Sequence, residues 1–526
     1  MTQTRHRLFG WIRQAKVTDI FISILFLSCL AYSLKYSTAG WNNPLLDHHQ
    51  FRQTQTAITS YYMIRGGPWL NYDTPVLGPP WSIPLEFPVY QWVVAAIVAL
   101  SHAPVDQTGR LTSLAFFYLS FIPGYFLLRD VGISRRSHRL VFMCLLLVSP
   151  TYLFWSRTVM IESTALFFNL SFLAFVARYA GSRKTLAALA AVLLGALGAL
   201  IKITTFVSFG VAAALVLFRP FLWTLQSGGW RGAARQYVLA VTLIAGIPMI
   251  AGVVWTRYAE DVRSQNPMGA EYLSFSALKI HNFGTMEQRL SLDSWTRILV
   301  DRVGLVAGSV KVLFLLPLVM LLLRRRILFF LSSFLLFLTG PLFFMNLHVE
   351  HDYYSYANGL FFLASIAVVV VAMLENDGLL WRMAGVGTLC LFLLSMGRIY
   401  WQNVKPQWQD QDFHNSDMMT VARTIQRFTK SDDVILIYGD SMSSAIPYYS
   451  ERRAVADHFD QEVDSPIMKK MLANLDSYRI GAIVVCNKSR ELSDRNNKRL
   501  QELNFENSAR FHSKRCDIFV RRNQPE

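Results

Sequence analysis

The chain has 526 residues, 53% of them hydrophobic and 16% charged, with a mean hydropathy of +0.30 and a formal net charge of +16. Repeated apolar runs long enough to cross roughly 30 Å of hydrocarbon exclude a single soluble globule and predict a polytopic α-helical membrane protein. From Lys405 onward there are 19 lysines and arginines against 18 carboxylates, which leaves 32 against 17 upstream, in the short loops between the apolar runs. That placement speaks for membrane topology and against nucleic-acid binding.

The first apolar run, 20–36, lacks a small-residue cleavage pattern and is expected to be an uncleaved anchor. Five basic clusters then set the sidedness: Arg5/Arg7/Arg13/Lys16, Arg129/Arg135/Arg136/Arg139, Arg178/Arg183/Lys184, Arg219/Arg231/Arg235 and Arg324/Arg325/Arg326. Placing all five in the cytoplasm gives about eleven spans, near 20–36, 111–128, 139–155, 163–178, 185–201, 203–218, 237–255, 303–323, 327–345, 357–374 and 380–397. The amino terminus is then inside and the carboxy terminus outside. The apolar stretch 89–100 is too short for a comfortable crossing and would put Arg135 and Arg136 outside, so a re-entrant or interfacial helix is predicted there. Residues 37–110 become one long external loop, with juxtamembrane helices including an amphipathic stretch over 51–64 and a Pro-rich turn region over 75–88. Loops of this length that carry aromatic residues are usually ordered and functional.

Residues 1–400 thus form the transmembrane domain, and 405–526 an exported soluble α/β domain. In the latter, Asn415 or Ser416 caps a helix with Val421, Ile425 and Phe428 on one face, and strands are expected over 434–438, 482–486 and 518–520. Gly439-Asp440-Ser441 follows a strand but matches no dinucleotide or phosphate-loop pattern, so a fold-supporting or acceptor-docking role is favoured. Cys29, Cys144 and Cys390 lie in spans. Cys486 and Cys516 lie in the tail, where a disulfide is allowed but not required by spacing.

With this topology, the ionisable groups at membrane depth gather on the outer side. Asp47 opens the first loop in Asp47-His48-His49-Gln50-Phe51-Arg52, Glu162 ends the turn that begins near Arg157, Lys202 sits between two spans, and His348-Val-Glu-His-Asp-Tyr-Tyr354 forms another outer loop. Such groups are costly in a membrane and tend to mark substrate paths. Each also has a structural alternative: Asp47 as a helix cap, Glu162 as the partner of Arg157, Lys202 as a snorkelling side chain, and Tyr353/Tyr354 as an interfacial belt. The spacing of His348 and His351 only weakly suggests a metal.

An uncleaved first span, a long loop opening on an acid, Arg157-x4-Glu162 before a later span, Lys202 at the next outer junction, His351-x-Tyr353-Tyr354 and an exported carboxy-terminal domain together resemble the GT-C superfamily. The likeness over roughly 10–400 is closest to its polyprenyl-phosphate-sugar branch, which includes protein O-mannosyltransferases and the lipid A aminoarabinose transferase. The resemblance implies Asp47 and Glu162 as catalytic acids and Lys202 as a binder of the donor phosphate. Two departures stand out. Many relatives have Asp where Glu162 stands, and a Gly-Lys-Pro-Pro element appears here as Gly78-Pro79-Pro80-Trp81.

Arg52, five residues from Asp47, can supply the missing positive charge, and Arg157 is a second candidate. His48, Glu86, Trp81, His351, Tyr353 and Tyr354 are the candidate substrate contacts, with Trp69 a further stacking candidate. The expected reaction is inverting transfer of a sugar from a polyprenyl-phosphate carrier to an acceptor hydroxyl of a glycan, lipid or protein. Asp47 would take the hydroxyl proton and the cations would stabilise the phosphate leaving group. Metal dependence stays open, with a divalent cation between Glu162 and phosphate conceivable. The expected location is a bacterial inner membrane, with the site on the periplasmic side. The alternatives are a lipid-pyrophosphate glycan ligase or polymerase, and a lipid-linked glycan flippase.

Overall fold

The structure, a computed structural model, describes residues 2–457, 466–486 and 500–521. Seven helices in it are long and apolar enough to cross a membrane: Val17–Ser37, Val105–Asp130, Glu162–Ser182, Ile203–Gln226, Trp230–Arg263, Asp352–Leu374 and Leu379–Gln409. An eighth is the pair Leu292–Ala307 and Val312–Leu323, bent by 78° at the break. The bend follows from Gly308, whose φ of 75° suits glycine and whose Cβ, if present, would meet Met396 N at 2.5 Å. Two further expected spans, Thr185–Ile201 and Ile327–Phe343, are shorter apolar helices of 17 residues each. The eleventh, 139–155, is broken. Arg136–Val148 ends at Ser149, which is extended ahead of Pro150, and the short helix Pro150–Trp155 follows.

The chain packs around Ser355–Leu374, a helix buried over nearly its whole length against Ile327–Phe343, Leu379–Ile399 and Arg136–Val148. Val89–Ser101 is a 13-residue apolar helix lying against Gln50–Ile64 and Val105–Leu119. Residues 264–296, between the expected spans 237–255 and 303–323, include short helices at Pro267–Tyr272, Phe275–Phe283 and Met286–Leu290. The last span runs past 397, through a π-helical turn, to Gln409.

The carboxy-terminal unit is a five-stranded sheet of order β2-β1-β3-β5-β4, from Val434–Tyr438 (β1), Arg453–Ala456 (β2), Ile480–Cys486 (β3), Ala509–His512 (β4) and Cys516–Val520 (β5). β1 lies parallel to β2 and β3, whereas β5 lies antiparallel to β3 and β4. Ser416 caps the helix Asp417–Phe428 through its side chain, and Val421 and Ile425 are buried. Phe428 differs from expectation: it is 41% exposed and stacks on Phe511. Cys486 and Cys516 face one another in the β3–β5 register and form a disulfide.

This unit does not stand apart from the membrane part. Ala454 and Ala456 of β2 donate backbone hydrogen bonds to Pro75 and Val76, and Gly78 donates back to Ala454. One apolar cluster mixes Leu45, Leu77 and Trp81 of the first inter-span loop with Val455, Met471 and Ile483. Tyr448 and Tyr449 donate to Asp106, and Tyr61 to Glu451. The Pro-rich segment is therefore the strip on which the sheet docks.

Candidate active site

Asp47 lies at the floor of the site, 6% exposed. The chain ahead of it is fixed by the fully buried Arg110, which donates to the carbonyls of Trp41 and Asn43 at 3.0 and 2.8 Å. It does not cap the following helix, Gln50–Ile64. The capping position falls on His49, in the left-handed region, and no side chain caps there. Gln53 instead donates to Asp47 Oδ1, and Arg157 Nη1 approaches Oδ2 at 3.4 Å. Arg157 is itself 1% exposed, so the partner that neutralises it is Asp47 and not the nearby Glu162.

Glu162 opens the helix Glu162–Ser182, where the helix dipole favours negative charge. Lys202 breaks two helices with an extended backbone (φ −157°, ψ 90°), which turns its side chain onto Glu162. The ammonium donates to both carboxylate oxygens at 2.7 Å and is 9% exposed, an arrangement unlike snorkelling. Its Nζ also stands 4.1 Å from the ring centre of Tyr354 and 5.2 Å from that of Tyr353. Arg52 pairs with Glu86 at 2.9 Å and donates to Gln55. Burial works against its charge, but Glu86, Tyr353 and Tyr354 hold its pKa above the ordinary arginine value.

A third group joins the first loop to the 348–354 loop. The Nε2 atoms of His48 and His49 lie 2.9 and 3.0 Å from the two oxygens of Asp352. His48 stacks on Trp408 at 4.1 Å, His49 meets the Tyr353 ring edge-on at 5.1 Å, and His351 stacks on Tyr353. Burial, together with His49, His281 and Lys202, pushes His351 down to about 3, so it is a neutral imidazole at physiological pH. Among the described residues, His48, His49 and Asp352 are the group whose donor atoms could hold a metal ion, all within 4.8 Å of one another. It lies apart from Glu162, where the sequence left a phosphate-bridging cation conceivable and where Lys202 pairs with the carboxylate. As it stands, the trio is a buried carboxylate bridged by two imidazoles, with donor atoms close enough to share one ion.

Of the residues named from sequence, the fold gathers Asp47, His48, Arg52, Glu86, Arg157, Glu162, Lys202, His351, Tyr353 and Tyr354. Trp81 is elsewhere: its indole donates to Tyr478 at 3.1 Å and lies beneath Arg453, in the contact with the carboxy-terminal unit. Trp69 is 46% exposed, with its carbonyl bonded to the Trp92 indole. Gln53, His49, Arg110 and Asp352 were not singled out from sequence, although three of them lie within six residues of Asp47 or inside the His-rich loop. The opposite end of the bundle gathers the basic loops, where Glu375 pairs with Arg326 at 2.7 Å and lies 3.6 Å from His138.

No family model and no curated protein matches the chain. Solved structures do. ArnT from Cupriavidus metallidurans superimposes in its apo state with a TM-score of 0.57 at 12% identity, covering 98% of each chain. The same protein bound to undecaprenyl phosphate gives 0.58 at 13%, over 97% of this chain and 98% of its own. An oligosaccharyltransferase from Archaeoglobus fulgidus gives 0.49 at 10%, over 87% and 68%. Nearly end to end, the chain has the fold of ArnT, the GT-C fold that the sequence motifs resemble.

Proposed function

We propose that the protein is an inverting glycosyltransferase that moves a sugar from a polyprenyl-phosphate carrier to an acceptor hydroxyl at the outer face of the membrane. The observation that carries this reading is the pairing of two deeply buried acids with two buried cations, Asp47 with Arg157 and Glu162 with Lys202, beside a third pair at the rim, Arg52 with Glu86. A phosphate leaving group needs fixed positive charge, and Lys202 and Arg52 supply it within each other's electrostatic reach. Asp47 takes the acceptor proton as the new glycosidic bond forms and the anomeric carbon–phosphate bond breaks, leaving polyprenyl phosphate. Arg157, seated on Asp47, positions that base. Tyr354 and Tyr353, already facing Lys202, offer the sugar a stacking surface.

The fold shared with ArnT, which has been crystallised with undecaprenyl phosphate, supports a lipid-phosphate donor. The Cys486–Cys516 disulfide supports an oxidising compartment for the carboxy-terminal unit. A flippase would need ionisable groups along both halves of its spans, yet the central helix Ser355–Leu374 carries no charged residue.

Mass spectrometry of lipid-linked sugars and surface glycans, with and without the gene, tests the reading. Loss of the gene should make one polyprenyl-phosphate sugar accumulate and strip that sugar from one glycan. Unchanged glycans together with a carrier stranded on the cytoplasmic side would favour the flippase.

A further inference from the structure

At the end of the bundle opposite the candidate site, a cavity of about 820 Å³ opens between the helices Phe121–Asp130, Glu162–Ser182, Ile203–Gly228 and Ile327–Phe343. Ligand-binding clefts run from roughly 300 to 1,000 Å³, so this is room for a sizeable apolar body. Its depth is set by the helices that frame it. Glu162–Ser182 starts at the candidate site and its 21 residues rise about 30 Å, one hydrocarbon thickness, before Arg183. Arg219 comes about 24 Å into the helix that starts next to Lys202, roughly one and a half turns short of the rise to Arg183, and both arginines line the same cavity.

The lining is asymmetric. Toward mid-membrane it is apolar, with Leu173, Ala177, Ala212, Leu215, Leu336 and Ala364. Its polar rim carries Arg183 and Arg219, both exposed, and Trp223, 78% exposed at the height where interfacial tryptophans sit. The one carboxylate on the rim, Asp130, is taken by Arg129 at 2.8 Å. Among the described residues neither Arg183 nor Arg219 has an ion-pair partner; Arg183 lies 6.0 Å from the Tyr179 ring. An apolar cleft capped by two guanidinium groups at the interface complements a molecule with an acyl body and an anionic head.

We propose that this cavity holds an anionic glycerophospholipid of the leaflet opposite the candidate active site, its acyl chain among the helices and its phosphate on Arg183 and Arg219. The donor's own tail fits less well, because its phosphate belongs at the far end and would leave both arginines facing nothing. Preferring a phospholipid to the donor's tail rests on the proposed function, whereas the cavity and its two rim arginines stand without it.

Native mass spectrometry of the full-length protein offered phosphatidylglycerol or phosphatidylcholine of identical chains tests it. One phosphatidylglycerol should be retained, about tenfold in preference to phosphatidylcholine, given the attraction each basic side chain exerts on anionic lipid. Arg183→Gln with Arg219→Gln should abolish the preference, and Ala212→Trp should abolish retention of either lipid. In case a variant does not fold, the wild-type protein also decides: phosphatidylglycerol with a photoreactive acyl chain should label the helices Glu162–Ser182 and Ile203–Gly228, and excess unlabelled phosphatidylglycerol should compete. Equal retention of both lipids, labelling confined to helices that do not line the cavity, or competition by polyprenyl phosphate but not by phosphatidylglycerol would each overturn the proposal.

Discussion

Two regions of the molecule bury carboxylates, and they treat them in opposite ways. At the candidate site Asp47, Glu162 and Glu86 each meet a cation, at 3.4, 2.7 and 2.9 Å. Beyond the carboxyl ends of β1 and β2, Asp440 and Asp457 lie in one another's field, and burial pushes them up to about 6 and about 7. Arg515 and Ser443 pull Asp440 the other way, but burial prevails. Ion pairs recover little of the cost of desolvating two charges, so a region that keeps several of them is organised for charge and not for stability. The tail carboxylates, by contrast, meet no such cation partner at ion-pair distance among the described residues, and burial moves their protonation up toward neutral pH. Substitutions that remove charge should therefore damage function in the first region and aid stability in the second.

The largest expected effect is on transfer by Asp47→Asn. The amide keeps an oxygen for Arg157 and nearly the same volume, yet cannot accept the hydroxyl proton. Turnover should fall by about 10²–10⁴-fold, the usual worth of a positioned base, with donor binding retained. Single-turnover transfer by purified protein, alongside donor titration, measures both. Near-normal transfer would remove Asp47 from the mechanism and turn attention to Glu86 and Glu162.

Next comes the Glu162–Lys202 pair. Lys202→Met alone strands a buried carboxylate, and breaking such pairs costs about 3–5 kcal/mol, so a drop in melting temperature is expected whatever the catalytic role. The double variant Glu162→Gln/Lys202→Met should recover much of that stability. If Lys202 holds the donor phosphate, donor affinity in the double variant should remain roughly 10–100-fold weaker, matching the loss of a charged hydrogen bond of about 1.5–3 kcal/mol. A double variant that is stable and binds donor normally would make the pair purely structural.

What the sequence revealed of the site follows from the same physics. Asp47, Glu162, Lys202 and the 348–354 loop were legible because charge at the ends of apolar runs is rare and needs a reason. Their partners were not, since pairing depends on how distant loops meet. Arg157 and Glu162 are five residues apart and suggested a local pair, but the turn after Pro150–Trp155 sends Arg157 to the first loop. Trp81 has the residue type of a sugar platform, and only its contacts with Tyr478 and Arg453 show it serving the docked sheet. β2 is four residues long and is held between β1 and the Pro75–Gly78 strip, so no local pattern announces it. The spans were legible as apolar runs, while the breaks at Ser149 and Gly308 came from a proline and from a close approach to the last span.

The smallest expected effect lies in the tail and carries the opposite sign. Asp457 accepts a hydrogen bond from the Gly439 amide at 3.0 Å, and burial followed by the nearby Asp440 raises it from an ordinary 3.8 to about 7. A carboxyl that binds its proton more tightly folded than unfolded contributes stability fully below its unfolded pKa, and that contribution is lost as pH rises through the folded value. The melting temperature of the carboxy-terminal unit within the intact protein should therefore fall between about pH 5 and pH 8 in the wild type. Asp457→Asn keeps the acceptor for Gly439 and never charges, so it should flatten that slope and leave the variant the more stable of the two at pH 8. Differential scanning across this range, followed through tail-specific hydrogen exchange, separates the outcomes. An unchanged slope in Asp457→Asn would mean that the carboxylate is already solvated and charged, and the contrast between the two regions would then rest on the membrane-end pairs alone.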